Sequence, residues 1–189
     1  MPVETTARKT RADFERLPEG THCQLIAGEI ISTPTPPVEH RLLVGEMIAL
    51  LHEWLRFRRA GRAVTSPVDV YLADDEAYQP DIVVLLRESR GRIEHGHFEG
   101  PPDLVVEVLS PSNAGDDLVH KKRVYERSGV REYWIADPRE QTVEVFVLEG
   151  GRYRQHVRVV ETGTATSVLL SGFTVDAAAL FAAAQPDAL

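Results

Sequence analysis

Apolar residues recur along this chain in two rhythms, and each change of rhythm marks an element. Between Val38 and about Arg59, the positions Leu43, Met47, Leu50, Trp54 and Phe57 follow at steps of three and four, the spacing of one helix face. Arg56, Arg58 and Arg59 close that stretch, where a helix dipole favours cations. Elsewhere the apolar positions form short runs bounded by Gly, Pro and Asp. Gln24-Leu25-Ile26 and Glu29-Ile30-Ile31 flank Ala27-Gly28, which predicts a tight hairpin. Residues 64–72 predict an edge or bulged strand because they carry Pro67, and Asp74-Asp75-Glu76 reads as an acidic loop.

Strands over 81–86 and 103–109 come next, separated by a charged, glycine-bearing connection over 87–101 that reads as mobile. Ser110-Pro111-Ser112-Asn113-Ala114-Gly115 leads into a helix from about Asp116 to Ser128, which Gly129 stops. A strand over 133–136 ends at Asp137-Pro138, and further strands over 142–148, 152–160 and 167–170 suggest a meander before a short helix over 177–184. At the other end, residues 1–12 are polar and read as a flexible tail, with a helical turn over 13–17 closed by Pro18-Glu19-Gly20. This order predicts an α/β (mixed α+β) fold, a mixed sheet flanked by helices with extra antiparallel strands. No repeat or long linker divides the 189 residues, so one domain is expected.

The bulk numbers narrow the function. One cysteine, Cys23, leaves no internal disulfide and no cysteine metal site, which fits a reducing compartment and predicts a cytoplasmic protein. There is no apolar leader and no run long enough for a membrane span. The formal net charge is -8, with Lys+Arg 21 against Asp+Glu 29, which weakens a nucleic-acid reading without excluding it. Local basic clusters stand out against that balance: Arg56, Arg58, Arg59 and Arg62, then Lys121, Lys122 and Arg123.

Glu107 is the residue that asks for chemistry. It interrupts Leu104-Val105-Val106-Glu107-Val108-Leu109, and a carboxylate buried in such a strand needs a partner, because desolvating its charge costs several kcal/mol. Two partners meet that cost: a cation such as Lys121 or an arginine, or a metal ion. Asp81 opens the preceding apolar strand after Pro80. If the two strands are neighbours, Asp81 and Glu107 offer hard oxygens suited to Mg²⁺. Only three lysines occur, Lys9, Lys121 and Lys122; where arginine is the default cation, a lysine suggests a role for a compact ammonium. Asp117, Lys121 and Tyr125 share one helix face at spacing four, and Lys122 is expected to face solvent. His40, at the head of the long helix, is able to cap, pack or face a cleft. Asp137 reads as a turn residue, and Trp54 and Trp134 as core. Two carboxylates, a metal and a lysine would suffice for phosphodiester hydrolysis.

These pieces together resemble the Uma-type "putative restriction endonuclease" family, bacterial proteins of the PD-(D/E)XK nuclease superfamily. The likeness runs from Leu25-Ile26-Ala27-Gly28-Glu29 through Ser66-Pro67-Val68-Asp69-Val70 and Gln79-Pro80-Asp81-Ile82 to Glu107-Val108-Leu109-Ser110-Pro111-Ser112. It continues in Asp117, Lys121, Tyr125, Gly129-Val130, Glu132-Tyr133-Trp134-Ile135 and Asp137-Pro138. The resemblance implies a restriction-endonuclease-like core and a DNA endonuclease activity in which Asp81, Glu107 and the Val108 carbonyl hold Mg²⁺ or Mn²⁺. Lys121 would act beside them, with His40, Gln24 and Tyr125 close by. A homodimer would suit the cutting of two strands.

Three positions depart from the family's pattern. Leu109 stands where the superfamily places its lysine, so that role passes to Lys121. Gln24 and Ala27 stand where acids are common. The loss of an acid at position 24 and the net charge keep a second reading in view, a catalytically idle protein of the same fold that binds nucleic acid weakly or serves as an oligomeric scaffold.

Overall fold

The computed structural model describes residues 7–18, 20–110 and 116–186. The chain opens with α1 (Arg11–Phe14), the hairpin β1 (Cys23–Ile26) and β2 (Glu29–Ser32), and the long helix α2 (Val38–Arg58). There follow β3 (Gly61–Thr65), β4 (Val70–Ala73), β5 (Glu76–Tyr78), β6 (Ile82–Leu86), β7 (Arg92–Glu94), β8 (His97–Glu99) and β9 (Leu104–Val108). Helix α3 (Asp116–Ser128) leads to β10 (Glu132–Asp137), β11 (Thr142–Glu149), β12 (Arg152–Val160), β13 (Thr164–Thr166), β14 (Thr174–Asp176) and α4 (Ala177–Ala183). The expected mixed α/β architecture is present.

One six-stranded sheet has the order β12-β11-β10-β9-β6-β3 and a second β2-β1-β5-β4-β8-β7, while β13 and β14 pair as a small third sheet. In the first sheet only β9 and β10 run parallel, and they are the pair that α3 connects; the other neighbours are antiparallel. A parallel pair requires a crossover of that length, so α3 is brought back along the strand that carries Glu107. The two faces of β9 do different work. Leu104, Val106 and Val108 pack under α2, against Leu43, Met47, Leu51 and Leu55. On the opposite face, Val105 joins Tyr125 of α3 and Tyr133 of β10. Side chains alternate along a strand, so Glu107 shares the face of Val105.

Local chemistry sets the ends of these elements. Ala27 and Gly28 both take positive φ, 50° and 78°, the two-residue loop a type I′ hairpin demands. At the end of α3, Gly129 has φ 91°, and the amide of Val130 donates to the Tyr125 carbonyl at 3.0 Å. This is a Schellman closure, and it fixes the turn that carries Tyr125.

Several expectations change. The expected strand over 64–72 is two strands, with the chain turning between Thr65 and Val70. Glu76 lies in β5 and is buried, not in an acidic loop. The connection over 87–101 contains the β7–β8 hairpin, with Ile93 opposite Phe98. The α2 core stripe runs through His40, Leu43, Met47, Leu51 and Leu55, while Phe57 is 83% exposed. Steps of four from Met47 hold the core face, and Leu50, Trp54 and Phe57 fall on its flank. The α1 helix starts before residue 13, and the amides of Lys9 and Arg11 donate to the carbonyls of Gly28 and Asp74, which holds the inner part of the polar N-terminal stretch. The segment 111–115 lies outside the described residues.

The expected strand over 167–170 is a loop, held by Glu132 of β10. That fully buried carboxylate accepts from Trp134 Nε1 at 2.7 Å and Ser167 Oγ at 2.6 Å through Oε1. Its Oε2 accepts from the amides of Val168 at 2.9 Å and Leu169 at 2.8 Å. Glu132→Gln turns an amide group onto two of these donors, and each buried donor left unmatched costs about 1–3 kcal/mol. Urea unfolding of this variant should show a loss of about 2–4 kcal/mol at unchanged m-value; a loss under about 0.5 kcal/mol would contradict the latch.

Candidate active site

Three elements converge on Glu107, which is 2% exposed. From α3, Lys121 Nζ donates to Glu107 Oε2 at 3.1 Å and Tyr125 OH donates to Oε1 at 2.7 Å. The spacing of four along α3 thus delivers two donors to one carboxylate, and Lys121 is itself only 4% exposed. The side chain of Asp117 lies outside the described residues. From the start of β6, Asp81 reaches across the strand pair: its Oδ2 accepts from the Val108 amide at 2.7 Å. His40 of α2, buried beneath, brings Nε2 within 3.2 Å of the same oxygen. Both donors use Oδ2, and Asp81 Oδ1 accepts none among the described residues.

The electrostatics follow from this burial. Glu107 is pushed up to about 7, chiefly by desolvation, with Asp81 adding to the rise and Lys121 opposing it. Burial and the facing Glu107 hold the Tyr125 phenol well above its ordinary value, so it remains a donor. Glu107 is therefore a carboxylate whose ionised form needs more positive charge than one ammonium supplies. Perturbation by desolvation and a named charge partner, beside a cleft, is a mark of functional groups.

A cleft of about 610 Å³ opens onto this cluster, lined by Gln24, His40, Asp81, Glu107, Ser110 and Lys121 among others. Five of the six side chains singled out in the sequence line it; Tyr125 stands behind Glu107. Gln24, on β1, accepts from the Gln79 amide at 3.1 Å through Oε1, which ties the hairpin to the segment leading into Asp81. His40 Nδ1 is buried with no hydrogen-bond partner among the described residues.

Some placements were not foreseen. Lys122 does not face solvent; its Nζ lies 3.2 Å from the centre of the Phe146 ring, since the turn that aims Lys121 inward aims its neighbour at β11. Asp137 is the turn residue expected, accepting from the Arg139 amide at 2.9 Å. Glu76, read from the sequence as part of an acidic loop, was not foreseen as a buried anchor. Buried on β5, it accepts from the Ala27 amide at 3.1 Å and Tyr78 OH at 2.5 Å, and pairs with Arg127 of α3. This braces α3 against the hairpin sheet. Its signal in the sequence was slight, since a three-residue strand shows no periodicity. Ser110 and Gln79 were likewise visible only as neighbours of Glu107 and Asp81.

Could this cluster hold a divalent cation? Among the described residues no three His, Cys, Asp or Glu side chains converge as a ready metal cage. Two carboxylates do meet, and the like-charge repulsion and desolvation on Glu107 are what a cation would relieve. Mg²⁺ typically takes one or two carboxylates and keeps water or phosphate oxygens for the rest, so the donor set fits.

Comparison with known proteins bears on this geometry. Residues 11–178 match the family model of Uma2, described as "Putative restriction endonuclease". An uncharacterized protein of Synechocystis sp. is 29% identical over 156 residues, covering 80% of this chain and 88% of that protein. A crystal structure described as "a putative nuclease belonging to DUF820", from Anabaena variabilis, matches with a TM-score of 0.77 at 23% identity. The match covers 93% of this chain and 99% of that one. The restriction-endonuclease-like fold expected from the sequence is thereby shown.

The buried pair makes a prediction that depends on pH. The folded value of Glu107, about 7, lies above its ordinary 4.5. Between these values the folded state binds more protons, and stability falls as pH rises. Removing Lys121 raises the folded value further and steepens that fall. In EDTA, Lys121→Met should lose about 3–5 kcal/mol at pH 8 and markedly less at pH 5, as measured by urea titration. An equal loss at every pH would contradict the pairing.

Proposed function

Because the chain belongs to the Uma2 family of "putative restriction endonucleases", we propose that it is a metal-dependent endonuclease that hydrolyses phosphodiester bonds in DNA. The observation that carries this reading is the meeting of Asp81, Glu107 and Lys121 at one cleft that is open to solvent. Asp81 and Glu107 would hold Mg²⁺ or Mn²⁺ together with the Val108 carbonyl. Support for that third ligand is the Val108 amide, which points at Asp81; in an extended strand the amide and carbonyl of one residue leave the chain on the same side. A bound divalent cation supplies Lewis acidity toward a phosphoryl oxygen and lowers the pKa of a coordinated water.

The chain's own residues do the positioning. Lys121 holds Glu107 and brings an ammonium to the cleft wall, where its compact charge would orient the attacking water or a phosphate oxygen. Tyr125 fixes the second Glu107 oxygen, so the carboxylate cannot rotate away from Asp81. His40 and the Val108 amide together hold Asp81 Oδ2, which leaves Oδ1 for the cation. Gln24 contributes no charge, and its amide orders Gln79 ahead of Asp81. Water adds its oxygen to phosphorus, the bond to the leaving sugar oxygen breaks, and that oxygen takes up a proton.

Supercoiled plasmid with Mg²⁺ or Mn²⁺ tests the reading. Wild type should nick it, and Asp81→Asn and Lys121→Ala should each reduce the rate at least about 100-fold, the usual scale for losing a charge-stabilising group. Cleavage that persists equally in both variants would overturn the site. Absence of cleavage by wild type would favour the catalytically idle reading, which the neutral Gln24 in the cleft wall supports.

A further inference from the structure

The far end of α2 carries a second groove, of about 670 Å³, whose rim includes Arg56, Arg59, Arg62 and Arg87. They come from three places in the fold: the end of α2, β3, and the residue after β6. Helix-dipole complementarity accounts for Arg56 but not for Arg62 or Arg87. Among the described residues none of the four has a carboxylate within ion-pair distance, although the chain carries a net charge of -8 and most of its other arginines form ion pairs. Arg59 adds a separate observation. It takes φ 52° at the end of α2, a left-handed conformation that glycine adopts without strain, so an arginine is kept there against local backbone preference.

This groove and the catalytic cleft share two elements, α2 and β3. Arg41, Gly45 and Ile48 of α2 line the cleft, and Leu55, Arg56 and Arg59 continue the same helical stripe into the groove. Thr65, at one end of β3, lines the cleft, while Gly61 and Arg62, at the other, line the groove. The separation along α2, from His40 to Arg56–Arg59, is about 24–28 Å at 1.5 Å per residue, which matches roughly seven or eight steps of nucleic acid at 3.4 Å.

We propose that this arginine groove is a second contact for the phosphate backbone of a nucleic acid strand whose reacting phosphodiester lies at Asp81 and Glu107. The proposal rests on the nuclease reading for the position of the strand, but the binding it predicts does not require cleavage. Arginine serves because its planar fork matches phosphate oxygens in pairs. A local cationic groove on an acidic protein makes binding depend on where the strand lies, not on the overall field.

The test is fluorescence anisotropy with labelled 24-nucleotide single strands and 24-base-pair duplexes, in EDTA, across a salt series. Arg59→Glu/Arg62→Glu should bind at least tenfold more weakly than wild type and lower the salt slope by about two. The same charge change on β12, Arg154→Glu/Arg158→Glu, should leave binding within twofold. Arg59→Gly should bind more weakly while melting no lower than wild type, since it relieves the backbone; this separates a ligand role from a structural one. Equal binding by wild type and both groove variants, or no binding by wild type at low salt, would overturn the groove. Plasmid nicking is scored separately. Arginine-dependent binding without nicking would sustain the groove and defeat the nuclease reading, while nicking with arginine-independent binding would do the reverse.

Discussion

A carboxylate taken out of water in the middle of a strand governs much of this structure. Ionised Glu107 on β9 is tolerable only because the chain brings an ammonium and a phenol to it, and both come from one helix. The parallel pairing of β9 with β10 forces a crossover, that crossover is α3, and the four-residue spacing of Lys121 and Tyr125 places both donors over Glu107. The Schellman closure at Gly129 and the brace between Arg127 and Glu76 hold α3 in that position. A buried ion pair is weak evidence for stability, since a well-packed apolar pair of the same volume would often serve as well or better. Its retention beside Asp81 and an open cleft therefore argues for use.

The same arrangement reconciles two readings of Glu107 that the sequence left open. A salt bridge with Lys121 and a role as a metal ligand are compatible, because burial still pushes the carboxylate up to about 7 with the lysine in place. One ammonium does not fully compensate two neighbouring carboxylates. Further positive charge is what the proposed cation would supply there, beside the Val108 amide that already holds Asp81.

Much of the site was legible because its determinants are local. Glu107 showed itself by breaking an apolar run, Lys121 and Tyr125 by sharing a helix face, and Asp81 by opening a strand. The ends of α3 and of β12 were marked by glycines and were placed correctly. What escaped depends on partners distant in sequence. Glu76 meets Ala27 and Arg127, and Glu132 meets Val168 and Leu169; nothing near either glutamate announces those contacts. The β7–β8 hairpin escaped because each strand has one apolar residue between charged or polar ones. Phe57 was assigned to the core because a run of apolar residues on the flank of α2 imitates the core stripe over its last two turns. Its exposure is instead a feature of the surface.

The central claim is that Asp81 and Glu107 form one oxygen site for a divalent cation. Diffraction from crystals grown with Mn²⁺, with data collected at the manganese absorption edge, tests it most directly. The account predicts one anomalous peak within about 2.0–2.4 Å of an oxygen of each carboxylate and of the Val108 carbonyl, lost in crystals of Asp81→Asn. A cleft with no peak, or a peak away from Glu107, would contradict it.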